Sequence, residues 1–499
     1  MIFLEKLFFY LLIFSIPIET RLIVARWTEP FNEWTAGYIY GTDILLAAVL
    51  IFWLARNLKT AKIFNLAYSA EAASAAKAGQ FSIFKGAKSF KSRILNPNFF
   101  LFLFFIVSAL SIANSRLVGL SLYQLLKLAE FIGFYFYLVR NQTPTAFADA
   151  SAVASNEGHI RSALGKIFKL EGVLAVVVIS GVFQAAIAIA QYLKQGALGL
   201  RLLGESPLSI NTTGIAVFIA DGMKYLRAYG TTPHPNVLAA WLMLAIFSFY
   251  FLLFYYLKPQ ETKAAALNRN SSLIRRGDLR WIAIYLILLF GFFFTFSRVI
   301  ICLWALGTVI GGLLLFRKNF SGFLAGIKRR LVIVAIVTLI AGTFFAFFFW
   351  PQVKSRILIS AEEEAVTQRI FYNKIAESVT TANPVLGIGI GQFVPQLMTK
   401  LKHWPSYFYQ PVHNIYLLIA SETGFIGLII FLLFLFFVLY DFARSTRFQE
   451  PYHFSFFILA LSFLFVGLFD HFLWTLQQGS LIFWMVIALV SSKFNPGWS

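Results

Sequence analysis

Twelve mostly apolar runs divide the chain, near 3–18, 37–55, 98–114, 118–139, 172–193, 236–257, 281–296, 299–316, 331–350, 413–440, 454–469 and 474–492. Crossing a hydrocarbon layer about 30 Å thick takes roughly 20 helical residues. Most of the runs approach that length, and several fall a little short. None alternates apolar and polar residues as a barrel strand would. In lipid, backbone polar groups must be satisfied within the segment, which favours helices. The expectation is an all-α polytopic membrane protein with about twelve transmembrane helices. Composition agrees: AVILMFWYC make up 59% of 499 residues and charged residues only 13%, against about 25% charged in soluble domains. A single water-facing core stops growing near roughly 250–300 residues. An ordinary cytosolic enzyme and a disordered chain are both excluded.

The formal net charge is +20. In a soluble protein that surplus would suggest nucleic acid; here its sidedness is the first question. With the N-terminus inside, the loops 56–97, 140–171, 258–280, 317–330 and 441–453 and the tail hold 26 of the 42 Lys and Arg residues. The opposite side holds 14. This fits the positive-inside rule, and most of the charge reads as a topology signal and contact with anionic lipid, not as a nucleic-acid surface. The stretch MIFLEKLFFYLLIFSIP has a weak basic region and no A-x-A cleavage pattern, so it reads as a retained first helix. The lone Cys302 permits neither an intrachain disulfide nor a cysteine metal site.

These boundaries divide the chain into 1–193 (helices one to five, with basic inside loops 56–97 and 140–171), 194–350 (helices six to nine, with outer loop 194–235), a large outer segment 351–412, and 413–499 (the last three helices). Loop 56–97 reads equally as a basic amphipathic helix on the inner leaflet and as a solvated linker. Residues 361–382 read as an amphipathic helix on the outer leaflet.

The outer face gathers an unusual set of side chains. Arg227 opens RAYGTTPHPN, Arg298 ends TFSR at a tight turn, Arg369 lies in TQRIFYNK, and His413 lies in PVHNIY. Arg116, Arg201 and Lys224 lie in the same outer loops. Arg298 either snorkels to the interface or clamps a lipid-linked anion, since a guanidinium forks onto phosphate oxygens and stays charged. His413 is either a capping or interfacial histidine or a general base; arginines and a helix start nearby favour its neutral form. His234 carries the same ambiguity. Gly387-Ile388-Gly389-Ile390-Gly391 lacks the Gly-Lys-Ser/Thr of a nucleotide loop and reads as a flexible turn. Glu362-Glu363-Glu364 reads as a solvated helix face, and Asp470-His471 as packing or a local ion pair.

Taken in order, RAYGTTPHPNVLA, TFSR, RIFYNK with NPVLGIGIGQF, and HNIYLLIASETGFIGL resemble the O-antigen ligase/polymerase superfamily over about residues 200–440. The resemblance implies a GT-C-like, metal-independent glycosyltransferase of the bacterial inner membrane, with no cofactor and with both termini cytoplasmic. It implies transfer of a glycan from a polyprenyl (undecaprenyl) diphosphate carrier, with inversion, to an acceptor hydroxyl at the outer face. The acceptor is lipid A core in ligases, another lipid-linked repeat in polymerases, and a protein Ser or Thr in a third branch. By motif position, Arg227 and Arg298 would hold the diphosphate and His413 would act on the acceptor hydroxyl. Arg369, Arg116, Arg201, Lys224, His234 and Asn414 are further substrate-binding candidates. A transporter or flippase of anionic lipid would instead need charges at mid-membrane and paired repeats, and a scaffold would give the outer cluster no purpose.

Overall fold

The computed structural model describes residues 1–77, 96–141, 168–256, 278–317, 324–357, 364–445 and 451–491. Much of loops 56–97 and 140–171, most of 258–280, and Glu362 and Glu363 lie outside the described residues.

Every apolar run falls mainly within helices. They are α1 (Ile2–Ser15), α2 (Gly41–Lys77), α3 (Pro97–Ser111), α4 (Val118–Asn141), α5 (Leu170–Lys194), α6 (Pro235–Phe251), α7 (Asp278–Phe293), α8 (Arg298–Arg317) and α9 (Leu324–Phe348), which precede the long segment. That segment forms α10 (Trp350–Ile357), α11 (Glu364–Ala382) and α12 (Phe393–Lys400). The chain then continues through α13 (Ile415–Arg444), α14 (Pro451–Val466), α15 (Phe472–Thr475) and α16 (Gln477–Ser491). Seven helical stretches among the described residues are long and apolar enough to cross a membrane: Gly41–Lys59, Pro97–Asn114, Val118–Asn141, Leu170–Lys194, Pro235–Phe254, Lys328–Phe348 and Ile415–Arg444. The apolar parts of α8, α14 and α16 are shorter. The chain is an all-α polytopic membrane protein.

Burial sorts the spans. A helix that is apolar all round belongs in the middle of a bundle or against lipid. α6 takes the middle, with 89% of its apolar window buried, while the α9 window is only 22% buried and faces outward. α6 packs against α5, α7, α8, α14 and α16. Charges at one end of the bundle pair across helices. Arg56 of α2 bonds Glu5 of α1 and Asn141 of α4, and Arg329 of α9 bonds Asp278 of α7 at 2.7 Å.

Two small hairpins were not foreseen. β1 (Arg21–Arg26) pairs antiparallel with β2 (Ala36–Tyr40), with an irregularity between Ile23 and Ala25. β3 (Val217–Ala220) pairs antiparallel with β4 (Met223–Leu226). The second apolar run therefore enters as a strand at 37–40 and turns helical only at Gly41. The turn between β1 and β2 ties to the long segment through Asn32, whose Nδ2 donates to the Tyr409 carbonyl at 3.0 Å.

The glycine run is not a flexible turn. Gly387, Gly389 and Gly391 all have positive φ. Their loop docks on a break in α13, where Gly424 sits at φ 71°, ψ −179°. There Ile388 N–H donates to the Ser421 carbonyl at 3.0 Å, Gly389 N–H to the Glu422 carbonyl at 2.9 Å, and Phe425 N–H to the Pro384 carbonyl at 2.8 Å. Broken helices survive at membrane depth when protein supplies the missing partners in this way. A methyl at position 424 would overlap the Val385 carbonyl oxygen, in backbone geometry that costs a non-glycine residue about 1–3 kcal/mol. Gly424→Ala is expected to lower the thermal midpoint in detergent by several degrees. The control is Gly342→Ala in α9, where an added methyl meets nothing; equal midpoints for the two variants would contradict this account.

Candidate active site at one end of the bundle

The turn from α7 into α8 and the strand leaving β4 meet at Arg227. Its Nε donates to the Thr295 carbonyl at 2.7 Å and its Nη2 to Asn236 Oδ1 at 2.6 Å, which leaves Nη1 uncommitted. Arg227 is only 7% exposed. Burial pulls its pKa down to about 9, and Arg356 and Arg298 add to the pull, against Tyr229 and Asp470. The group stays charged at neutral pH. Arg298 of α8 and Arg356 of α10 thus both act electrostatically on Arg227 of the β4–α6 loop, and the guanidinium of Arg356 also lies 5.7 Å from the Phe218 ring. Bringing like charges into a buried place is unfavourable unless an anion joins them.

Asn236 links this cation group to a second one. Its side chain accepts from Arg227 and from Ser297 Oγ at 3.0 Å, and its Nδ2 donates to Asp470 Oδ2 at 2.7 Å. The Asp470 carboxylate also accepts the His471 N–H at 2.8 Å. Burial by itself would raise the Asp470 pKa; the neighbouring His471, His413 and His234 and the Asn236 amide outweigh it and hold the carboxyl at about 2. Around Asp470 stand three imidazoles. His413 lies 4.8 Å from His471, ring to ring, and stacks on Tyr372 at 6.1 Å. Burial lowers all three pKa values. His234 is brought to about 4, with help from Arg227, and His471 to about 3. His413 falls below 6.5, with Arg369 adding to burial and Asp470 opposing it. All three rings are neutral at pH 7.

Three buried polar atoms of His413 and of α11 have no hydrogen-bond partner among the described residues: His413 Nδ1, Arg369 Nε and Asn373 Oδ1. Arg369 and Asn373 are one helical turn apart on α11, the helix that packs against α13 just after His413. Buried polar atoms are rarely left unpaired. Three together, with an acceptor, a cationic donor and an amide oxygen, match a polar ligand.

Of the residues expected from sequence, Arg227, Arg298, Arg369, His413 and His234 come together. Asn414 is the N-cap of α13, accepting from the Tyr416 and Leu417 amides. Arg116 is exposed and donates to Thr399 Oγ1 at 3.0 Å. Arg201 and Lys224 are exposed, and among the described residues no hydrogen bond or ion pair ties these three to the cluster. Asp470 and His471, read from sequence as packing or a local pair, instead sit at its centre. Arg356, Asn373 and Ser297 were not singled out. The SR and NK neighbours of the chosen arginines and the N of HPN were the available signals for Ser297, Asn373 and Asn236.

Residues 283–432 match a family model described as O-antigen ligase. The match supports the O-antigen ligase/polymerase superfamily. The matched stretch contains Arg298, Arg356, Arg369 and His413, and it ends before Asp470. Arg227, His234 and Asn236 precede it and join the same site through the contacts above. No curated protein matches the chain. The match supports an O-antigen ligase/polymerase type of function in surface polysaccharide assembly and a glycosyltransferase-like activity, and with the apolar helices it supports a bacterial membrane protein.

Proposed function

We propose that the chain is an O-antigen ligase-like glycosyltransferase. It takes a glycan from a polyprenyl (undecaprenyl) diphosphate at the outer face of the inner membrane and passes it to an acceptor hydroxyl, without a metal and with inversion. The observation that carries this reading is the meeting of Arg227, Arg298 and Arg356 with a neutral His413 across Asn236 and Asp470. The arginines bind the diphosphate and stabilise the charge it gains as a leaving group. His413 accepts the acceptor hydroxyl proton as the oxygen bonds to the anomeric carbon and the bond from that carbon to the phosphate oxygen breaks. Asp470 holds the imidazoles in register and stabilises the charge that develops on them.

The test is transfer by purified protein from an undecaprenyl-diphosphate glycan, which should persist in chelator. No transfer to any hydroxyl acceptor would defeat the reading. In a deletion strain, carrier-linked glycan should accumulate unattached; loss of long chains alone would mark a polymerase instead.

The reading also predicts a pH response. A base works only when unprotonated, so kcat/KM should fall as pH falls through the His413 pKa. Because burial and Arg369 lower that pKa, the midpoint should lie below 6.5. Arg369→Gln removes a lowering charge and should move the midpoint up. Asp470→Asn removes a raising charge and should move it down. A midpoint that neither variant moves would remove His413 from the titrating role.

A further inference from the structure

On the far side of His471 from Asp470, a cavity of about 100 Å³ runs between the β1–β2 hairpin, α4, α12, α13 and α16. Trp34 and Thr475 line it, and both also touch His471: Trp34 lies edge-on at 5.1 Å, and Thr475 Oγ1 is 2.6 Å from Nδ1. The order across the molecule is therefore arginines, Asn236, Asp470, the histidine pair, then the cavity.

Its walls are aromatic, with Trp34, Tyr38, Tyr40, Tyr123 and Trp474 among them, and its floor is polar, with Gln124, Lys127 and Gln477. Lys127 lies nine residues into α4, about 14 Å from the helix start at 1.5 Å per residue. Charged groups at that depth are costly and mark functional positions more often than not. Yet the cations here are spent. Lys127 bonds Asp43 and Glu130, and Arg21 pairs with Glu19 at 3.2 Å and Glu33 at 3.8 Å. Each lining cation is thus already paired with two carboxylates, so an anion is disfavoured. Gln124 presents a planar amide beside Gly391, with no side-chain hydrogen bond among the described residues. Flat rings with hydrogen-bonding tips, next to amide groups, suit a ligand with an apolar face and a rim of hydroxyls.

We propose that this cavity binds a neutral pyranose residue of the acceptor. The inference rests on the transfer reading above, because it is the position of the histidine pair between the arginines and the cavity that makes the occupant the acceptor. The diphosphate leaves on one side of the anomeric carbon and the acceptor hydroxyl arrives from the other. The cavity holds the sugar that carries this hydroxyl and delivers it to His413.

The experiment is saturation-transfer NMR on the full chain in lipid nanodiscs, free of sugar detergents, with methyl glycosides of glucose, galactose and N-acetylglucosamine as probes. At least one should receive saturation from the wild type and from His413→Ala. Gln124→Trp fills the cavity and Tyr38→Ala removes one wall; both should lose the signal. In steady-state transfer, Gln124→Trp should raise the acceptor KM by about tenfold or more and leave the donor KM unchanged. No signal for any probe with the wild type, or an undiminished signal in Gln124→Trp, overturns the proposal. A protein that binds the probes but transfers no glycan would defeat the transfer reading alone. Transfer with an unaltered acceptor KM in Gln124→Trp would defeat the cavity alone.

Discussion

Replacing His413 with alanine is expected to lower kcat for glycan transfer by about 10²–10⁴-fold, the usual contribution of a positioned general base, with little change in either KM. The imidazole is neutral at pH 7 because burial and Arg369 hold its pKa down, so the wild type needs no prior deprotonation. Its Nδ1 makes no hydrogen bond among the described residues, and its ring contacts are with Tyr372 and His471. The variant should therefore fold, keep the wild-type thermal midpoint within a degree or two, and reach the membrane in normal amount. It should also lose the acid limb of the pH profile, which a merely packing histidine would not control. His413→Gln keeps a hydrogen-bonding side chain but cannot take the proton, and should be as inactive. Transfer at the wild-type rate by both variants would remove His413 from the chemistry and turn attention to His471, its neutral neighbour.

The bundle was legible in the sequence because lipid leaves a helix no choice: a long apolar run must satisfy its own amides. The run at 37–55 shows the limit. Its first four residues continue the apolar pattern but form β2, since Tyr38 and Tyr40 find places beside Tyr123, whose hydroxyl donates to the Tyr38 carbonyl at 2.9 Å. That partner is 85 residues away and leaves no local trace. The glycine run failed for the same reason. Glycine spacing announces positive φ, but only the break at Gly424 says what the loop packs against. Arg227, Arg298, Arg369 and His413 were found because motif order placed them on one side. Asp470 was passed over because its partner Asn236 is 234 residues away. Lys127 and Glu130 were passed over because a span with two charges still counts as apolar. Side alone also over-collected: Arg116, Arg201 and Lys224 share the face and not the cluster.

Arg227 is the position where charge and geometry can be separated. Arg227→Ala removes a transition-state donor, for which about 10²–10³-fold in kcat is the expected loss, and it also strands the Thr295 carbonyl and leaves Asn236 Oδ1 with Ser297 as its donor. A simple loss would therefore mix catalysis with positioning. Arg227→Lys resolves the two. It retains a positive charge in the same buried place, next to Arg298 and Arg356, but an ammonium cannot fork between Thr295, Asn236 and a phosphate oxygen at once. If the diphosphate needs only charge, the lysine variant should recover most of the activity lost in the alanine variant. If it needs the fork, as the two short bonds to Thr295 and Asn236 suggest, the lysine variant should stay within about tenfold of alanine. Binding of undecaprenyl diphosphate, measured by calorimetry in nanodiscs, should weaken in both variants and stay unchanged in His413→Ala. Full donor affinity and full transfer in Arg227→Ala would show that the buried guanidinium does not act on the diphosphate.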